Sequence, residues 1–241
     1  MKKYAVFIVL LMITLFGLSG ISYAVSKKVL IFTKTAGFRH DNIEKGVEVL
    51  KKLYAEIGIQ SVHSEDANLF LSDSLATFDA VVFFSTTGTI FNEEQKDAFQ
   101  KYIRSGKGFM GIHAATDTEH DWPWYNQLVG AYFLSHPKVQ EAKLQVLNSK
   151  HPATEHLNKI WLHKDEWYDF KDVQSGLNVL MNLDEKSYEG GKMGEVHPIA
   201  WFQEFEGARM FYTGLGHTKE SFDSIAFQKH VVGGIRYVLG L

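Results

Sequence analysis

The sequence predicts an α/β fold in which a mostly parallel sheet carries helices on both faces and continues into an antiparallel extension. Three apolar segments, residues 28–33, 80–85 and 108–112, are short and continuous, as expected of strands that are covered on both faces. Stretches of helical periodicity separate them. This alternation of strands and helices is typical of a parallel sheet.

The helices between these strands have recognisable ends. The first can be capped by Asp41 or Asn42, keeps an apolar stripe at helical spacing and ends at Gly58. The second begins after Asn92, and Gln95 follows three residues later, as in a capping box.

The pattern changes after Gly130, where segments of strand type follow one another with few helices between them. We interpret this half as an extension of the same sheet and not as a second domain, because no linker separates it from the first half. The predicted strands are residues 143–148, 178–183, 197–205 and 208–214, and a closing helix follows at about 221–239.

The N-terminus has the parts of a secretory signal peptide. Lys2 and Lys3 precede an apolar run over residues 4–19, and Ser22 and Ala24 are small residues that suit signal-peptidase cleavage. We therefore predict that residues 1–24 are removed. The domain of residues 25–241 would then be exported to the periplasm or the extracellular space, with no membrane contact. The alternative is a retained N-terminal anchor.

The composition excludes several classes of site and partner. The chain contains no cysteine, which excludes disulfides, thiolate metal sites and a cysteine nucleophile. The net charge is −3 and no basic run stands out, so neither nucleic acid nor an anionic membrane surface is an expected partner. The composition gives no indication of the oligomeric state.

Residues 108–117 have the outline of a nucleophile elbow, a sharp turn from strand to helix that presents one side chain at the edge of the sheet. His113 would stand at the tip. Gly111 and Ala115, two positions before and after it, are small, as the close backbone contacts of such a turn require. We expect an exposed ring that ligates a metal, acts as a base or binds a substrate, so that His113→Ala leaves the fold nearly intact. The alternative is a packed structural histidine.

Three histidines follow predicted strands of the sheet. His40 lies beyond the first strand, His113 ends the elbow strand and His217 ends the last strand. Ligands bind outside the carboxyl ends of parallel strands, so these histidines could converge on one site. His136 and His197, each followed by proline, lie in tight loops. Converging histidines together with a carboxylate suit a divalent metal such as zinc.

Two cofactors and one reaction class are not expected. The dinucleotide pattern G-x-G-x-x-G is missing after the first strand, and so is the Walker pattern of phosphate-binding loops, which argues against NAD and ATP. The elbow carries no serine, which argues against Ser-His-Asp acyl transfer.

Seven motifs occur in order along the chain: residues 36–40 (AGFRH), 111–117 (GIHAATD), 128–133 (LVGAYF) with His136 and Pro137, 151–154 (HPAT), 165–168 (DEWY), 197–201 (HPIAW) and 212–218 (YTGLGHT). As a set they resemble the trehalose-utilisation family, the ThuA-like proteins, over nearly the whole chain beyond residue 24. One departure is Glu195-Val196, because the family usually has Asp directly before the His-Pro pair.

The resemblance implies a flavodoxin-like fold, similar to that of class I glutamine amidotransferases. His113 falls where those enzymes carry their cysteine nucleophile, so glutaminase activity is not carried over. The family is linked to the breakdown of trehalose and related disaccharides, together with sugar dehydrogenases that make 3-keto-glycosides. The resemblance therefore implies a small-molecule sugar substrate and a sugar dehydrogenase in the same pathway.

These observations lead to the hypothesis of metal- or histidine-assisted C–O cleavage in a glycoside or its 3-keto derivative. The catalytic candidates are His113, Asp117 to orient an imidazole, Glu166 as base and Tyr168 as donor to the leaving oxygen. The candidate metal ligands are His40, His113, His136 and His217, and the candidate substrate-binding residues are Arg39, Trp124, Trp167 and His197.

The alternative is a non-catalytic sugar- or partner-binding module. Its expected feature is a set of aromatic platforms, for which the candidates are Trp122, Trp124 and Trp167. Glu185 and Glu189 are interpreted as solvated loop charges. The remaining histidines are interpreted as surface or capped-core residues, namely His63, His120, His151, His156, His163 and His230.

Overall fold

The computed structural model describes residues 26–241, so the predicted signal peptide lies outside the described residues. Within residues 26–241, no helix combines the length and the apolarity that crossing a bilayer requires. In chain order the helices and strands are β1 (Lys28–Phe32), α1 (Ile43–Glu56), β2 (Gln60–Ser64), β3 (Ala80–Phe84), α2 (Glu93–Arg104), β4 (Gly108–Ile112), α3 (Pro123–Val129), β5 (Tyr132–Ser135), β6 (Gln140–Val146), β7 (Ile160–Asp165), β8 (Asp169–Lys171), β9 (Asn178–Asp184), β10 (Pro198–Phe205), β11 (Ala208–Thr213) and α4 (Ile225–Leu239).

One mixed sheet of nine strands organises the domain, in the spatial order β2-β1-β3-β4-β11-β10-β9-β6-β7. The first five strands of this order are parallel, and β11, although it comes last in the chain, lies beside β4. The other four strands pair antiparallel with their neighbours. The predicted α/β fold, with a parallel half and an antiparallel extension, is confirmed.

Sequence periodicity missed three strands. β5 and β8, which pair in a small separate sheet, are too short to show a period. β7 has an inverted pattern, because His163 and Asp165 are buried whereas Ile160 and Leu162 are exposed. The closing helix begins later than predicted, since the Ser224 side chain caps it.

The helices cover both faces of the parallel half. Phe83 packs against Phe99 of α2 and Tyr125 of α3, whereas Phe84 packs against Phe222, ahead of α4. Successive side chains of a strand point to opposite faces, so these helices lie on opposite sides of the sheet. Burial on both faces explains why the central strands are continuously apolar.

Helix α4 packs so closely that it has no room for a side chain at Gly233. A Cβ atom there would approach the Pro152 carbonyl oxygen more closely than real Cβ contacts do. We predict that Gly233→Ala lowers the free energy of unfolding by about 1–3 kcal/mol through overpacking. In an open helix the same exchange would raise the stability by about 1 kcal/mol. Urea unfolding measures the difference. Lys229→Ala, at an exposed position of the same helix, is the control, and equal stability of the two variants would contradict the packing argument.

Candidate active site

The three histidines predicted to converge lie together at the carboxyl ends of the parallel strands. His113 directly follows β4, His217 follows β11 and His40 lies in the loop after β1. Ring centroids are 4.8 Å apart for His40 and His113, 4.9 Å for His113 and His217 and 5.4 Å for His40 and His217. The strand order accounts for this meeting, because β1, β3, β4 and β11 are neighbours in the sheet.

The turn after β4 has the geometry of an elbow. His113 has φ of 52°, a left-handed conformation that is uncommon for a residue with a side chain, and it begins a 3-10 helix that ends at Asp117. A Cβ atom at Gly111 would lie 2.9 Å from the Tyr212 ring and 3.1 Å from Ala115 Cβ, so only glycine fits there. The Tyr212 hydroxyl donates to the His113 carbonyl at 2.8 Å and holds the turn.

The expectation that the His113 ring is exposed is wrong, because the side chain is fully buried. Its Nδ1 lies 3.1 Å from the Gly214 carbonyl oxygen, which can only accept, so Nδ1 carries the proton. Its Nε2 therefore presents a lone pair to the centre of the cluster, 3.1 Å from the Tyr168 hydroxyl and 3.0 Å from His217 Nδ1. A carbonyl behind one nitrogen is how proteins commonly orient a histidine that ligates a metal.

Glu166, and not His136, completes the cluster. Its Oε2 lies 3.2 Å from His217 Nδ1 and 3.7 Å from His113 Nε2. The ligand atoms of Glu166 and the three histidines all lie within 4.8 Å of one another. His136 stands behind the carboxylate, with its Nδ1 3.0 Å from Glu166 Oε1. The structure thus places Glu166 in the group of possible ligands and His136 beside it.

Burial keeps the histidines of the cluster neutral. It lowers the pKa of His40 to about 4 and lowers the pKa values of His113 and His217, and nearby histidines add to the effect. Burial raises the pKa of Glu166 to about 7, and His136 opposes the rise. Near neutral pH the imidazole lone pairs are therefore available, and Glu166 is close to its point of half-protonation.

An unpartnered nitrogen makes the cluster suitable for a cation. His40 Nδ1 is buried and has no hydrogen-bond partner among the described residues. Buried polar atoms are nearly always satisfied, and an ion is one recognised explanation for an exception. Three imidazoles with an adjacent carboxylate are also a donor set that zinc accepts.

The cluster opens into a cavity of 410 Å³. This volume lies in the range of about 300–1,000 Å³ that is usual for small-molecule sites. The residues that line it are Phe38, His40, Asp117, Phe133, His136, Glu166, Tyr168 and His217.

Besides Glu166, the catalytic candidates Tyr168 and Asp117 line the cavity. The Tyr168 hydroxyl contacts His113 Nε2 at 3.1 Å, and burial raises the pKa of this phenol, which keeps it protonated as a donor. Asp117 was expected to orient an imidazole, and His113 and the other cluster histidines are not its partners. Its partner is instead His120, at 2.8 Å between Oδ1 and Nε2, which is outside the cluster.

Three of the four candidate substrate-binding residues form hydrogen bonds elsewhere in the fold and do not line the cavity. The Trp124 indole donates to Glu206 at the β10–β11 turn, at 3.0 Å. Trp167 is fully buried and donates to the Gln140 carbonyl. His197 is buried between Glu185 Oε1, at 2.9 Å, and the Tyr168 carbonyl oxygen, at 2.8 Å.

Arg39, the fourth candidate, lies next to the cavity residues Phe38 and His40 but does not line the cavity. It forms salt bridges with Glu44 and Glu65, each at 2.9 Å. These bridges pair the guanidinium with two carboxylates.

Glu185 is not the solvated loop charge that the sequence suggested. Its carboxylate accepts the backbone N–H groups of Met193 and Gly194 as well as the contact from His197. These hydrogen bonds lower its pKa. Glu185 and His197 therefore hold the backbone of Tyr168 and the loop before β10.

Asp165 shapes the site, although the sequence analysis includes it only as the first residue of the motif at 165–168. It is fully buried, and it accepts the backbone N–H groups of Gly216, His217 and Thr218 at 2.7, 3.0 and 3.2 Å. The Ser221 hydroxyl also donates to it, at 2.9 Å. The carboxylate thereby fixes the loop that carries His217. No local signal in the sequence reveals this role, because the partners lie about fifty residues away.

A family model described as trehalose utilisation matches residues 28–238. No curated protein matches the chain. Among solved structures, a ThuA-like protein from Bacteroides uniformis is 23% identical, with a TM-score of 0.75 over 91% of this chain and 94% of that chain. A ThuA-like protein from Parabacteroides merdae is 20% identical, with a TM-score of 0.74 over 89% and 90%. A β-galactosidase from Bacillus circulans is 9% identical and is covered over 31% of its length, with a TM-score of 0.59. At these identities the structural likeness concerns the fold.

Asp165→Asn tests the support of the His217 loop. The amide oxygen accepts fewer hydrogen bonds than the carboxylate, and one buried N–H group would face an NH₂. We predict a loss of about 1–3 kcal/mol in the free energy of unfolding, measured in urea. The control is Asp172→Asn, an exposed position whose φ of 51° also suits asparagine. If both variants unfold like the parent protein, Asp165 does not hold the loop.

His113→Ala should now lower the melting temperature, contrary to the expectation from sequence. The exchange leaves a cavity and removes the contacts to Gly214, Tyr168 and His217, a loss of about 1–3 kcal/mol. His136→Ala, which removes a part-exposed ring, should melt close to the parent protein. Equal melting of the two variants in a thermal scan would refute the buried structural contribution of His113.

Proposed function

This chain belongs to the trehalose-utilisation family, and we propose that it is an exported enzyme of carbohydrate breakdown that cleaves a C–O bond of a glycoside or of its 3-keto derivative. The observation that carries the proposal is the cluster of His40, His113, His217 and Glu166 at an open cavity. Neutral imidazoles and a carboxyl with a pKa of about 7 are suited to metal binding and proton transfer at neutral pH. Export rests on the signal peptide predicted for residues 1–24.

We assign His40, His113 and His217 as the ligands of a divalent cation such as zinc. Three protein ligands with a free position are typical of catalytic zinc sites. When bound, such a cation supplies Lewis-acid polarisation of a carbonyl or hydroxyl oxygen. The buried, unpartnered Nδ1 of His40 supports this assignment.

Glu166 is the proposed base. In a 3-keto sugar the carbonyl acidifies the proton at C2, and Glu166 would accept that proton as the aglycone leaves from C1. Its pKa of about 7 suits this exchange, because a base works best when its pKa is near the working pH. His136, at 3.0 Å from Oε1, orients the carboxylate. Tyr168 would give its hydroxyl proton to the leaving oxygen, so that the aglycone departs as an alcohol. The proton taken up by Glu166 would return to the phenolate through solvent.

The geometry supports this proposal over a non-catalytic binding module. The tryptophans expected as platforms of a binding module are not presented to the cavity, because Trp122 and Trp167 are buried and Trp124 is bonded to Glu206. Ionisable groups would not need to converge in such a module, whereas here three imidazoles lie within 5.4 Å, centroid to centroid.

Measurements of metal binding and of turnover in variants distinguish the metal ligands from the catalytic base. Zinc and manganese affinities are measured by calorimetry, and release of the aglycone is followed from a 3-keto-glucoside and from the unoxidised glucoside. His217→Ala should lose both metal affinity and turnover. Glu166→Gln should retain metal affinity but lower kcat by about 100- to 10,000-fold. His156→Ala, outside the cluster, is the control.

Three outcomes would contradict parts of the proposal. Loss of metal affinity in Glu166→Gln would make Glu166 a ligand and not the base. Metal affinity that survives His217→Ala would remove the metal assignment. The enzymatic proposal would be refuted if the parent protein turned over neither glucoside with zinc, manganese or magnesium added.

A further inference from the structure

Phe38 exposes a large apolar side chain at the cavity. Its relative exposure is 68%, and it lines the cavity beside His40, with ring centroids 4.9 Å apart at an interplanar angle of 86°. The two rings are nearly perpendicular, and most of the Phe38 side chain remains open to solvent. A single exposed phenylalanine is ordinary on a surface, but this one stands at the entrance to a cluster of buried ionisable groups.

The backbone holds Phe38 in this position. The N–H groups of Ala36 and Gly37 donate to the Thr87 carbonyl at 2.7 and 3.2 Å, and the Thr87 hydroxyl donates to the Phe38 carbonyl at 2.8 Å. The next residue, Arg39, is fixed by its two salt bridges. These contacts anchor the backbone on both sides of Phe38, so the loop that carries the exposed ring has a defined position.

The other lining residues combine aromatic and polar groups. Phe133 and Tyr168 form a second aromatic pair, with ring centroids 4.3 Å apart. Asp117 and His136 contribute polar atoms to the same lining. A ligand that fits these walls needs at least one apolar face and several hydrogen-bonding groups around its edge.

The charges next to the cavity are paired, which favours a neutral ligand. Arg39 is bonded to Glu44 and Glu65, and Lys219 to Asp41 at 2.8 Å. Asp117 is bonded to His120. An anionic ligand would have to displace a carboxylate from Arg39 or Lys219 to gain an ion pair. A neutral pyranose has both required features, because its C–H bonds form apolar faces and its hydroxyls surround the ring.

We propose that Phe38 is the platform of a sugar subsite, on which the apolar face of a pyranose stacks while its hydroxyl edge faces the histidine cluster. The inference rests on the proposed function, since it names the ring that is presented to that site. Stacking removes the Phe38 face and the sugar C–H bonds from water, which stabilises the complex.

Ligand-observed NMR with the apo protein tests the subsite without relying on turnover or metal. The probe is methyl β-D-glucopyranoside, and the comparison is D-glucitol, an open-chain polyol without a ring face. We expect the glucoside to bind, with saturation transfer strongest at hydrogens of one ring face, and glucitol to bind more weakly. Phe38→Ala should weaken glucoside binding by about tenfold, as loss of part of an aromatic contact predicts.

Matched variants separate stacking from general apolarity. Phe38→Tyr should bind like the parent protein, because it keeps the flat ring, whereas Phe38→Leu should bind as weakly as Phe38→Ala. Ile225→Ala removes an apolar side chain of similar exposure, 63%, that does not line the cavity, and it should have no effect on binding.

The subsite is overturned if the parent protein does not bind the glucoside, if Phe38→Ala binds it equally well, or if glucitol binds as tightly. Tighter binding of adenosine than of the glucoside would also overturn it, because the platform would then select a nucleobase. Failure of the sugar subsite can be distinguished from failure of the proposed function. Sugar binding that depends on Phe38 without turnover contradicts only the enzymatic proposal, and turnover unaffected by Phe38→Ala contradicts only the subsite.

Discussion

The buried carboxylate of Asp165 is the interaction on which the arrangement of the site depends. Asp165 ends β7, the last strand of the antiparallel extension, yet it accepts backbone N–H groups from residues 216–218, which follow β11 four places away in the sheet. A buried carboxylate needs donors, and a buried loop needs acceptors for its N–H groups, so each satisfies the other. This contact joins the two halves of the sheet. It also places Glu166 and Tyr168, which follow Asp165 in the chain, next to His113.

Burial then gives the site its chemical character. The same loss of water lowers the pKa of His40 to about 4 and raises that of Glu166 to about 7, because burial disfavours the charged form of each group. The cluster therefore presents neutral nitrogen atoms and a carboxyl that exchanges its proton near neutral pH. The backbone contributes as well, since the Gly214 carbonyl selects the tautomer in which His113 Nε2 faces inward.

The sequence determined the fold and the edge of the sheet at which the candidate site lies. Apolar segments and helix ends are local signals, so the parallel half could be assigned from periodicity and from residues such as Asn92, whose capping box is present. The elbow was recognisable from its small residues, and in the structure the side chains of Tyr212 and Ala115 leave room only for glycine at residue 111. Since the carboxyl ends of parallel strands share one edge, the meeting of His40, His113 and His217 also followed from strand order.

The tertiary structure alone decided which side chains face the cavity. His113 and His217 are 104 residues apart, and Asp165 and Gly216 are 51 apart, so no local pattern records their contacts. For the same reason the sequence did not show that Glu166 joins the cluster while His136 stands behind it, or that Trp124 and Trp167 bond away from the cavity. Local periodicity specifies the face of an element on which a residue lies. The depth of burial and the hydrogen-bond partner of a side chain depend on segments that only folding brings together.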